Sequence, residues 1–175
     1  MSTAPSTAAP VEPRVPRAIL WGGLICGFLD INAAFIDVWL SNQTGPVKLL
    51  QGVASAVLGR AAALDGSFAT AALGLAMHFT VAFSATTIFY QLSRRFPVLV
   101  RHAVPSGLIY GALVFLVMFR VVLPLMTELR MLYLSHVTFA WPKLRWQQFI
   151  IHLICVGLPI ALTVRHFVPR DKQTA

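Results

Sequence analysis

Apolar residues gather in four long blocks along the chain, at residues 18–40, 68–92, 104–126 and 147–168. Each meets the roughly 20 residues that an α-helix needs to cross a bilayer. Within lipid the backbone has only itself to bond to, so blocks of this length predict spanning helices. The stretch "GPVKLLQGVASAVLGR" between the first two blocks is patterned differently, with Pro46 suited to a first helical turn and Gly59 near its end. On a helix of about 3.6 residues per turn, Lys48, Gln51, Gly52, Ser55 and Gly59 share one face. Leu49, Leu50, Val53, Ala54, Ala56 and Val57 share the other. Residues 46–60 therefore predict an amphipathic helix too short to span, lying in the outer interface or capping the bundle. The Ser/Thr/Ala/Pro-rich residues 1–17 predict a disordered tail, and residues 169–175 a short polar one. The expected fold is all-α: one four-helix membrane bundle over residues 18–168, with a short interfacial helix between its first and second spans.

Composition agrees with lipid as the solvent. Of the 175 residues, 57% are hydrophobic and only 11% charged. A net charge of +8 first suggests nucleic acid, but the cations sit at the ends of the apolar blocks. In a four-pass arrangement Arg14, Arg17, Arg94, Arg95, Arg101, Arg165, Arg170 and Lys172 fall on one side. Lys48, Arg60, Arg130, Lys143 and Arg145 fall on the other, and Arg120 lies within a span. The more basic side faces the cytoplasm, which places both termini inside a cell inner membrane. The turn "SRRFPVLVRH" then offers Arg94, Arg95 and Arg101 to anionic headgroups rather than to nucleic acid. Trp21 and Tyr90 mark the inner edge, with Trp39, Trp141 and Trp146 at the outer edge.

The polar residues inside the spans carry the candidate chemistry. On the first span Gly23, Gly27, Asp30, Ala34 and Asp37 share a narrow arc, apart from Leu24, Phe28, Ile31, Phe35 and Val38. Small and acidic residues on one side predict a protein-facing surface, with the bulky side toward lipid. His78 shares its face with Ala71, Gly74, Ala82 and Ala85. Asp30 and His78 each stand ten residues from the outer end of their spans, so both lie about 15 Å deep and should meet. A lone carboxylate at that depth costs about 2.5–3.5 kcal/mol, which a histidine donor would offset. Gln148, His152, Cys155, Pro159, Thr163 and His166 form a polar stripe on the fourth span. His152 matches Asp37 in depth and predicts a second, outer layer, which Arg120 either joins or leaves by snorkelling to the headgroups. Gly107 and Gly111 form a close-packing pair on the third span, nearly opposite Arg120.

Three functions remain open. Asp30, Asp37, His78, Arg120 and His152 form a buried polar core with a structural role, or they relay protons or ions through Asp30 and His78. Alternatively the chain is an accessory subunit, a homo-oligomer or a component of a larger membrane complex, docking through Gly107 and Gly111. An enzyme is not expected, because the chain has no G-x-S-x-G, H-E-x-x-H or Walker loop. No cofactor or metal is expected either: there is no haem-attachment motif, and His78 and His152 differ in depth by about 7 Å.

The segments "LDINAAFI", "LLQGVASAVLG", "LAMHFTVAFSATTIFYQLSRRFP", "SGLIYGALV", "VVLPL" and "HLICVGLPIAL", in this order, resemble a family of small bacterial inner-membrane proteins with four spans. The likeness runs from about residue 20 to residue 165. It implies a membrane location and the four-span architecture, and carries no assigned activity. The family resembles an Asn where this chain has Arg120, so an Asp37–Arg120 pair is not implied.

Overall fold

The structure, a computed structural model, describes residues 14–42, 45–132 and 143–167, and among these there are helices and no strands. They are α1 (Arg14–Asn42), α2 (Pro46–Leu58), α3 (Arg60–Asp65), α4 (Ser67–Arg95), α5 (Val98–Arg101), α6 (Ala103–Met131) and α7 (Trp146–Phe167). Four of them, α1, α4, α6 and α7, are long and apolar enough to cross a membrane, as in a multi-pass membrane protein.

The long helices overrun the apolar blocks, because a helix ends where capping and backbone chemistry end it. Arg94 and Arg95 complete the last turn of α4, where cations suit the helix dipole, and Pro97 follows just after the C-cap Phe96. At the other terminus α1 already starts at Arg14, so residues 14–17 are helical rather than part of a disordered tail. The remainder of that tail and residues 168–175 lie outside the described residues, as does Trp141 of the expected outer edge. Helix α6 runs past the expected end of its apolar block to Met131.

Packing follows the small residues. Helix α1 lies against both α4 and α7, and α6 lies against α7, so the order around the bundle is α4, α1, α7, α6. Helices α4 and α6 meet through a few side chains rather than along their lengths. At the end bearing the termini, the Tyr110 hydroxyl donates to the Ala85 carbonyl at 2.7 Å, and the Phe89 and Tyr110 rings meet edge-on at 5.0 Å. At the opposite end α2 fills the gap, packing along α4 and touching α6. Gly74 makes that contact possible, because a Cβ there would strike the Leu50 carbonyl. Gln51 donates to the Ser67 carbonyl at 3.0 Å, and Arg130 of α6 donates to the Ser55 carbonyl at 2.7 Å. Gln51, expected on a polar outer face, is consequently buried.

Two helices contain widened π turns, Met118–Val122 in α6 and His152–Gly157 in α7. Each directly precedes a Leu-Pro step, Leu123–Pro124 and Leu158–Pro159. A proline inside a helix lacks the N–H, and its ring collides with the carbonyl four residues back, here Arg120 and Cys155. Opening the preceding turn relieves that collision. Beside the π turns α6 and α7 approach backbone to backbone. Gly107 faces the Gly157 carbonyl, Gly111 faces that of His152, and a Cβ at Gly157 would strike the Gly107 carbonyl. The Gly107–Gly111 surface is thus covered by α7 of the same chain and is not open to a partner subunit.

Candidate functional site

The first span carries its acids as helical geometry dictates. Asp30 and Asp37 are seven residues apart, two turns along one face, or about 10 Å. Gly23 and Gly27 on the same side lie under the rings of Phe83 and Phe79; a Cβ at Gly27 would stand 2.6 Å from Phe79 Cε1. That approach draws α4 close enough for His78 to reach α1 twice. Its Nε2 lies 2.9 Å from the Gly27 carbonyl, and its Nδ1 lies 3.9 Å from Asp30 Oδ2. A carbonyl only accepts, so Nε2 carries a proton and donates. A neutral ring would then present a bare Nδ1 lone pair to the carboxylate. The contact is favourable only with one further proton, on Nδ1 or on Asp30. At 3.9 Å the two groups are at ion-pair range but beyond hydrogen-bond length.

Asp30 is incompletely engaged. Its Oδ1 is buried without a hydrogen-bond partner. Asp37 differs in every respect. Arg145 grips it with Nη1 at 3.2 Å from Oδ2 and Nη2 at 3.2 Å from Oδ1, and Gln148 Nε2 donates to Oδ2 at 2.9 Å. Arg145 also reaches Ser41 Oγ, at 3.0 Å.

This revises the expected outer layer, in which Asp37 meets His152. His152 turns along its own helix instead, its Nδ1 2.7 Å from the Gln148 carbonyl and its ring edge-on to Phe115 and Phe119. Gln148 links the two through different atoms, side chain to Asp37 and carbonyl to His152. Arg145 precedes α7 and extends a planar, forked guanidinium along the bundle, which suits a carboxylate better than a histidine at matched depth does. Arg120 is exposed on the π turn of α6. Ile31 and Val38 had been expected to face lipid. Ile31 is buried and both line a cavity, because α1 is embraced from two sides by α4 and α7.

That cavity occupies the gap between α4 and α6. It has a volume of about 760 Å³ and is mostly apolar, with Met77 and Val81 from α4 and Met118, Phe119, Val122 and Met126 from α6. Its polar wall is Asp30, His78, Gln148 and His152. Both π turns contribute to it, and such turns recur at functional sites. Toward the termini it is sealed by a tight apolar cluster that includes Cys26, Phe89, Tyr110, Val156 and Ile160. The hydroxyls of Ser84, Thr86 and Thr87 bond carbonyls of their own helix and add nothing to the site. Among the described residues, no three His, Cys, Asp or Glu side chains gather as a metal site would require.

Sequence reasoning placed Gln148 in the polar stripe of the fourth span but missed its bond to Asp37, and it missed the part played by Arg145, Gly157 and the cavity. The two Leu-Pro steps were the available signal for the π turns, and the Gly74 stripe for an extra helix against α4. No protein-family model matches the chain, and neither a curated protein nor a solved structure does.

Proposed function

We propose that the chain is a multi-pass protein of a bacterial inner membrane, with cytoplasmic termini and no catalytic step of its own, whose working element is the Asp30–His78 pair. In this reading the Asp37–Arg145–Gln148 cluster is the structural polar core, and the two acids of α1 have different tasks. The observation that carries it is the buried, unpartnered Oδ1 of Asp30, a residue that also borders a large cavity. A carboxylate retained only to join helices would be closed on both oxygens, as Asp37 is. An acid kept half-satisfied in the middle of a span marks a functional site, since its burial is expensive and its partner is titratable.

In this reading the pair carries one proton beyond that on Nε2, on His78 Nδ1 or on Asp30, across a 3.9 Å gap. Conduction through Asp30 and His78 is the second reading, supported by the same pair of groups. Against it stands the packed, mainly apolar cluster of Cys26, Phe89, Tyr110, Val156 and Ile160, which lies between the pair and the end bearing the termini. Nitrogen NMR of His78 in the intact protein tests the proposal. A protonated Nε2, and an Nδ1 signal that moves sharply on Asp30→Asn, is the expected result. An Nδ1 indifferent to that substitution overturns it.

A further inference from the structure

Resting on the multi-pass reading but not on its Asp30–His78 pair, we infer that the cavity between α4 and α6 seats one acyl chain of a phospholipid from the leaflet opposite the termini. Height, floor, wall and mouth each narrow the occupant. On α1 the lining runs from Val38 to Cys26 and on α6 from Met126 to Val114, twelve residues in each case and about 18 Å of helix. One leaflet supplies chains of about 15 Å, half of a hydrocarbon core of roughly 30 Å. The cavity thus begins near the ends of these spans farthest from the termini and stops near mid-membrane. There the cluster containing Phe89, Tyr110 and Ile160 forms its floor. Its volume of about 760 Å³ lies within the roughly 300–1,000 Å³ of small-molecule sites.

The wall asks for no polar group. Gln148 donates to Asp37 at 2.9 Å, Thr80 donates to the Ala76 carbonyl at 2.9 Å, and His152 Nδ1 lies 2.7 Å from the Gln148 carbonyl. Asp30 Oδ1 is buried away from the cavity surface. What faces an occupant is chiefly hydrocarbon and thioether, and the flexible side chains of Met77, Met118 and Met126 can follow a bent chain. Water needs several polar partners and finds few here, while an empty cavity forfeits packing contacts along its walls. The mouth is lateral. Leu73 and Val81 of α4 line the cavity and are exposed, on the side where α4 and α6 meet through few side chains. Helix α2 covers the end opposite the termini, with Leu49 and Val53 in the lining. A chain therefore enters sideways from the bilayer, where acyl chains are the solvent.

The test uses the full chain, deuterated except at its methionine and leucine methyls, in nanodiscs of a synthetic phospholipid with protonated acyl chains. Nuclear Overhauser cross-peaks from the acyl methylenes to the Met77, Met118 and Met126 methyls are expected, beside one at the exposed Leu29 of α1. Val122→Phe narrows the cavity and should abolish the methionine cross-peaks while leaving that at Leu29. Methionine cross-peaks that survive Val122→Phe report lipid on the outer surface and overturn the inference. Cross-peaks to water, to a second copy of the chain in a mixed-label sample, or to a hydrocarbon carried through purification overturn it as well. Should the methionines fail while Leu29 still meets acyl chains, the multi-pass reading survives and only the chain site is lost. If Val122→Phe does not fold, Ala34→Leu narrows the cavity from α1 and decides in its place.

Discussion

Asp30 and Asp37 share one face of α1, yet Asp37 is gripped by Arg145 and Gln148 through both oxygens while Asp30 keeps one oxygen unpartnered. Two like groups in one helix thus sit in opposite states of satisfaction. The difference comes from what reaches them: a forked guanidinium for one, the edge of an imidazole for the other.

Arg145→Gln should destabilise the fold by roughly 1–3 kcal/mol, because it strips donors from an Asp37 carboxylate that is only 9% exposed. Thermal or denaturant unfolding in a fixed detergent measures it.

Glycines divide sharply by what surrounds them. Gly157→Ala forces a methyl onto the Gly107 carbonyl of α6 and should cost about 1–3 kcal/mol through overpacking. Gly52→Ala meets nothing within 4 Å in the middle of α2. It should gain about 0.5–1 kcal/mol, the helix propensity difference between the two residues. Unfolding of both variants beside the parent gives the comparison.

Much of this arrangement was readable from the chain. Four spans and the pairing of Asp30 with His78 follow from a constant helical rise, since equal counts from the same boundary mean equal depth. Asp37 escaped because the same logic considered only residues within spans. An arginine ahead of α7 reaches its carboxylate from outside the apolar block, and sequence spacing does not encode that reach. His152 was placed at the right helix and depth, but its backbone bond to Gln148 competes with any partner across the bundle. The small-residue face of α4 was visible. That α2 covers it at Gly74 was not, because small residues permit close approach without naming the neighbour. The cavity is a property of what α4 and α6 fail to fill, and no single residue announces it.

Pro159→Ala should restore an N–H to bond the Cys155 carbonyl and let the π turn relax toward α-helix. Removing the extra residue of that turn rotates the preceding segment by about 100°, at 3.6 residues per turn. His152 should then leave its place against Phe115 and Phe119, and its ring-proton NMR shifts should lose the displacement those aromatic rings impose. Unchanged His152 shifts would mean that the π turn has another cause.

Arg94, Arg95 and Arg101 are exposed at the end bearing the termini. If that end faces an anionic leaflet, each contributes about 1 kcal/mol of headgroup attraction. Replacing all three by Gln should strip most of the anionic lipid that copurifies with the protein, measured by native mass spectrometry. Retention of that lipid would argue against contact at this turn.

The most direct test of the division between the two acids is the unfolding free energy of Asp30→Asn beside that of Asp37→Asn, under identical conditions. Asp37→Asn should lose about 1–3 kcal/mol, as a doubly engaged carboxylate leaves Arg145 unpaired. Asp30→Asn should stay within about 0.5 kcal/mol of the parent or exceed it, since a neutral amide relieves a half-satisfied acid and leaves the His78–Gly27 bond intact. Equal losses, or a larger loss at Asp30, would make Asp30 part of the structural core and contradict the account.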